Sequence, residues 1–104
     1  MKKLKILLFI LLCSCAAAEA KDILECDSQK FGKFQWHYDN KKVYEMYPGK
    51  PRIYNIDSKF GYTISASSKS SDGMWYAKID TSQGIVSVQG PYGDYKNINC
   101  IKVN

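Results

Sequence analysis

The chain has little of what catalysis and membrane spanning require. It holds one histidine, His37, so any Ser–His or Cys–His dyad would have to use that one imidazole. Its longest apolar run, Ile6 to Leu12, has seven residues, whereas a transmembrane helix needs about 20. No C-x-x-C and no metal-ligand spacing occur, so neither a metal nor another cofactor is expected. Asp80 to Gly84 lacks the alternating oxygens and closing Glu of a calcium loop. From Lys21 onward no window keeps a helical apolar period for three turns, and repeats and linkers are missing. With 104 residues, these absences leave a single small domain and argue against an enzyme.

What is present begins with an export pattern. Met1 to Lys5 is cationic, Ile6 to Leu12 is apolar, and Ala18-Glu19-Ala20 forms an A-x-A site before Lys21. This arrangement predicts a signal peptide over 1–20 and a β domain over 21–104, periplasmic or secreted. Leu12-Cys13-Ser14-Cys15 also resembles a bacterial lipobox, which would instead leave the protein lipid-anchored through Cys15. Only in that case is a membrane partner expected. Removing Lys2, Lys3, Lys5 and Glu19 leaves 12 positive and 9 negative charges, so the net +5 falls to +3. That balance is too modest for nucleic acid, and the binding motifs for nucleic acid are missing.

Of four cysteines only Cys26 and Cys100 follow residue 20, and two cysteines in an exported domain are expected to pair. A loop of that length is worth roughly 4 to 5 kcal/mol in the chain-entropy account. Between them the chain alternates. Phe34, Trp36 and Tyr38 share one strand face, and Phe60, Tyr62, Ile64 and Ala66 are expected to share another. Ser67 to Gly73 reads as a mobile polar loop, followed by a strand with Trp75, Ala77 and Ile79 on one side. Polar breaks near 39–41, 48–51, 57–58, 80–84 and 90–94 punctuate about seven or eight short strands. The fold class expected is all-β, a small antiparallel sandwich or barrel whose terminal strands the disulfide joins.

Thirteen aromatic residues, eight of them Tyr, remain among the 84 residues after position 20. A barrel of this size buries about half of them, and exposed Tyr offers rigid amphipathic area for binding. Tyr92 and Tyr95, in Gly-Pro-Tyr-Gly-Asp-Tyr, are the two expected to be most exposed. The reading is therefore a non-catalytic binding protein of the bacterial envelope. Its partner would be a protein or a glycan, and a structural envelope role is the remaining alternative.

Two stretches carry a resemblance: Ile64-Ser65-Ala66-Ser67-Ser68-Lys69 and Trp75-Tyr76-Ala77-Lys78. With cysteines near both ends, this plan resembles the periplasmic and membrane-bound inhibitors of c-type lysozyme, small exported or lipidated β-barrels. In that family a Ser and a Lys from these segments enter the lysozyme cleft. The resemblance implies Ser67 and Lys78 in those roles, with Lys69, Trp75, Tyr92 and Tyr95 completing the candidate binding set. Here no Gly follows the serines, and the lysine lies one residue further from Trp75 than in the family's W-x-K-G. Ile79-Asp80 to Gly84 is also similar to a hairpin of uncharacterised small exported β-domain proteins, which implies no activity.

Overall fold

A computed structural model describes residues 21–104; the expected leader, with Cys15, lies outside the described residues. Eight strands follow one another: β1 (Asp22–Ser28), β2 (Gly32–Tyr38), β3 (Lys42–Glu45), β4 (Arg52–Phe60), β5 (Thr63–Ser70), β6 (Gly73–Asp80), β7 (Ile85–Gly90) and β8 (Gly93–Lys102). Each pairs antiparallel with the next, and β1 pairs with β8 to close the barrel. Closure leaves no strand edge unpaired, which removes the usual route to edge-to-edge aggregation. The turns β1–β2, β3–β4, β5–β6 and β7–β8 form an upper rim. The turns β2–β3, β4–β5 and β6–β7 form a lower rim, where residue 21 enters and residue 102 leaves.

Period-two alternation builds the core. Leu24, Phe34, Trp36, Tyr38, Val43, Tyr54, Ile64, Ala66, Trp75, Ala77, Ile79, Val86, Val88 and Tyr95 point inward and are buried. Six of the thirteen aromatics are therefore buried, close to the half expected. Asp39 and Asp80 fix two lower turns by accepting backbone N–H groups of Lys41 and Lys42, and of Ser82 and Gln83. These bonds, with the Ser82 hydroxyl leading at Asp80, hold both carboxyls below the usual carboxylate value.

Two bulges break the alternation. On β8 the register passes from Glu25–Ile101 to Asp27–Ile98, so one extra residue sits opposite β1. Asn99 adopts a left-handed φ of 54° there, and its amide donates to Asp27 Oδ2 at 3.0 Å. One inserted residue reverses every following side chain. Strict alternation from the inward Asn97 would turn Cys100 outward; the bulge turns it inward, where it forms the disulfide with Cys26 on the neighbouring strand. The terminal strands lie side by side, and a disulfide is consistent with an oxidising, non-cytoplasmic location. Gly84, at φ 66°, caps this seam: its carbonyl accepts the Cys100 N–H at 2.9 Å. A Cβ at Gly84 would stand 2.7 Å from the Cys100 carbonyl oxygen, so only glycine fits.

The second bulge, between Ile56 and Ser58 on β4, overturns an expectation. After it Ser58 pairs with Ser65 and Phe60 with Thr63, on the outer face. Phe60 is 87% exposed, and Tyr62 occupies the two-residue turn at 71% exposure, whereas Ile64 and Ala66 point into the core. These four residues do not share a face. Ser67 to Gly73 is likewise no loop. β5 runs through Ser70, and only Ser71 and Asp72 turn the chain before Gly73 opens β6.

Candidate functional site

The upper half of the barrel holds a polar cluster that sequence reasoning missed. Glu45, at the end of β3, points inward and is fully buried. Tyr54 donates its hydroxyl to Glu45 Oε1 at 2.7 Å, and Tyr95 donates to Glu45 Oε2. With the Tyr95 proton committed to the carboxylate, Tyr47 donates to the Tyr95 oxygen at 3.1 Å. Burial first, and the adjoining Glu45 second, push the Tyr54 and Tyr95 phenols far above their ordinary value. Arg52 begins β4, directly opposite Glu45, with Nε 3.7 Å from Oε1. Its guanidinium lies 3.9 Å from the Trp75 ring and a quarter of the side chain reaches solvent.

Trp75 in turn donates Nε1–H to Ser70 Oγ at 3.2 Å. Its indole lies against Gly90, where a Cβ would approach within 2.4 Å of the ring. Glycine at 90 is therefore what lets the indole lie across the upper end of β7. Above it, Gln29, Lys30, Trp75, Tyr92 and Tyr95 line a depression of about 320 Å³. Lys30 Nζ hangs 5.1 Å from the Tyr95 ring centre.

A larger groove, about 500 Å³, runs over the outer face of β5 to β8. Strand register explains its lining. One cross-strand row, Ser65, Lys78, Ser87 and Lys96, lines it, as do Tyr76, Gln89 and Asp94 of the next row; Ser67, opposite Tyr76, stands just outside the lining and Asp57 borders it. The short serines form the floor, while Tyr76, Lys78 and Lys96 rise as walls. Among the described residues neither Lys78 nor Lys96 forms an ion pair within 4 Å, although Asp57 and Asp94 also line the groove and, after the Ser82 hydroxyl, Lys78 helps to lower Asp80. Asp94 and Tyr95 border both the groove and the rim depression, making the two hollows neighbours.

The six expected binding residues all fall on β5 to β8 and the β7–β8 turn, Lys78 nearest the lower rim and Tyr92 at the upper, but on two faces. Ser67 and Lys78 lie outward on adjacent strands as diagonal partners, a spacing of roughly 7 Å in antiparallel sheets. Lys69 is outward and exposed, opposite Met74. Tyr92 is 77% exposed at the β7–β8 turn, where a bond with Asp72 raises its phenol. Trp75 and Tyr95 point into the barrel. Tyr95 is thus a correction: the bulky residue at β8's first inward position is buried and bound to Glu45, not displayed.

His37 sits on β2, four strands around the ring from β6, half-buried with Nε2 3.2 Å from Gln35 Oε1. Burial first, and Lys21 second, lower its pKa. Among the described residues no group of three or more His, Cys, Asp or Glu could hold a metal ion. Compared with protein-family models, with curated proteins and with solved structures, the chain matches none.

Proposed function

We propose that the protein is an exported, non-catalytic binding domain whose contact surface is the grooved outer face of β5 to β8. The observation that carries this reading is that Ser67 and Lys78, diagonal neighbours on adjacent strands, both face outward beside a groove whose Lys78 and Lys96 form no ion pair among the described residues. A closed, cross-linked barrel offers such a face at little ordering cost, because strand register fixes the row spacing before a partner arrives. The partner class is a protein, and the first hydrolase to test is a c-type lysozyme, in whose cleft Ser67 and Lys78 would serve as polar contacts.

Titrating purified protein into a lysozyme turnover assay tests this directly. Inhibition should weaken at least tenfold in Lys78→Ala and less in Ser67→Ala, with both variants folded. Full turnover at a large excess of the protein would remove the lysozyme reading.

One feature favours a second reading, a glycan ligand: Tyr76 walls the groove beside Ser87 and Gln89, a ring and hydrogen-bonding groups together. Both tryptophans are buried, so indole fluorescence would not report a sugar here. Calorimetry with cell-wall oligosaccharides should instead show heat that Tyr76→Ala abolishes; no heat removes the glycan reading.

A further inference from the structure

Phe60, at 87% exposure, is the most exposed large hydrophobic side chain among the described residues, and Tyr62 stands beside it at the tip of the β4–β5 hairpin on the lower rim; on the upper rim Tyr92 stands exposed without such a neighbour. The display of the hairpin pair is built in. The β4 bulge turns Phe60 out of the core, and Gly61, at φ 60°, starts the two-residue turn that carries Tyr62. Lys59, also exposed, precedes the pair. Thr81 pins the tip by donating both its N–H and its hydroxyl to the Tyr62 carbonyl. A pinned, solvent-facing aromatic pair costs solubility and leaves the barrel core unchanged.

What lies beyond this rim is indicated by the chain itself. Residue 21 enters the barrel at the lower rim, with the apolar run Ile6–Leu12 and the lipobox-like Cys15 upstream. Five residues separate Cys15 from Lys21, six steps along the chain, a reach of at most about 22 Å. A chain held to a bilayer near Cys15 therefore keeps the lower rim close to the headgroups.

We infer that the Phe60–Tyr62 hairpin tip is a bilayer-contacting element that seats the lower rim in the headgroup layer of a phospholipid membrane. Phe and Tyr suit that layer because they bury an apolar ring, and Tyr keeps its hydroxyl wet. Around the lower rim Lys21, Lys41, Lys42, Lys59 and Lys102 stand against Asp22, Asp39, Asp57 and Asp80, a near balance, so ring insertion rather than electrostatic attraction holds the tip. The upper rim and the groove's upper end then face away from the membrane. This placement does not depend on which partner the groove takes.

The test uses the protein as the cell processes it, bound to phosphatidylethanolamine–phosphatidylglycerol vesicles with brominated acyl chains. Trp36 and Trp75 are buried and give a constant background. A tryptophan introduced by Phe60→Trp should be quenched at least twofold, and one introduced by Tyr92→Trp, on the upper rim, should not. Flotation with the vesicles should survive 0.5 M NaCl and fall at least fivefold in the Phe60→Ser/Tyr62→Ser variant. Equal quenching at both positions, no quenching at 60 in floated protein, or no flotation at all would overturn the inference. So would concentration-dependent dimers lost in the double variant without any lipid effect, which would make the tip a self-association surface. Partner binding in the turnover assay is a separate readout, so the two proposals can fail independently.

Discussion

The two halves of the barrel use the same residue types in opposite ways. In the lower half the interior is mainly apolar, with Leu24, Tyr38, Val43, Ile64, Ile79 and Val86 and one buried amide, Asn97, that donates to the Val86 carbonyl, while Phe60 and Tyr62 project into solvent. In the upper half the interior carries Glu45, Arg52 and three tyrosine hydroxyls, ringed by Phe34 and Trp75. The lower interior makes few polar demands on its rim, because its buried amide, Asn97, bonds a strand carbonyl and not a rim residue. A buried carboxylate demands more: each of its oxygens needs a donor, and those donors must be held by the strands. The comparison teaches that the upper half is the specified, rigid end and the lower half is the one left available for surface roles.

The largest break in that contrast should come from Glu45→Ala. It strands two buried phenol hydroxyls and an arginine that is three-quarters buried, and should cost about 3 to 5 kcal/mol, read as a lower urea midpoint. Glu45→Gln keeps an acceptor for one phenol and should lose less. A loss under about 1 kcal/mol in the alanine variant would mean the cluster does not hold the upper half together.

Much of this architecture is legible from residues, and the misses share one cause. The Phe34-Trp36-Tyr38 face, the Asp39 and Asp80 turns and the Cys26–Cys100 pairing all follow from local alternation, turn chemistry or the expectation of export. Phe60 was misplaced because a bulge two residues earlier reverses the strand face, and a bulge leaves no mark in hydrophobic period. The Ser67–Gly73 stretch was misread because its polar residues serve both faces of a strand. Ser68 lies opposite the inward Trp75 and Ser70 binds its indole, while Ser67 and Lys69 alternate outward. The Glu45 cluster was missed because its members come from β3, β4 and β8. The sequence contains only one local hint of it, a glutamate at the inward position two residues after the buried Val43.

Alkaline pH should act on the upper half next. The folded phenols of Tyr54 and Tyr95 ionise far above their ordinary value near 10, because burial and Glu45 both oppose a second negative charge. A raised folded pKa gives stability that is whole below the unfolded value and is lost as pH climbs above it. Above pH 10 the unfolded chain releases protons that the native barrel retains, and each tyrosine should remove roughly 1.4 kcal/mol per pH unit. Absorbance near 295 nm should therefore show two tyrosines ionising only as the barrel unfolds. Tyr54→Phe should leave one such tyrosine and a shallower fall of stability with pH. Two phenols titrating before unfolding would show the cluster to be open to water.

The smallest effect should appear at the lower rim, and its smallness is what sharpens the comparison. Among the described residues Phe60 and Tyr62 belong neither to the core cluster nor to the partly buried side chains packed on it, and the bonds that pin the tip run from Thr81 to a backbone carbonyl, not to either ring. Replacing both rings by serine removes exposed apolar surface from the folded state and from the unfolded chain alike. The urea midpoint should move by less than about 0.5 kcal/mol, and the near-ultraviolet signal of the buried tryptophans should stay unchanged. A loss of 2 kcal/mol or more would mean that the tip packs on the barrel, which would erase the contrast between the halves. An unchanged midpoint would show that these rings do not support the fold, so their display must be explained by what they meet outside it.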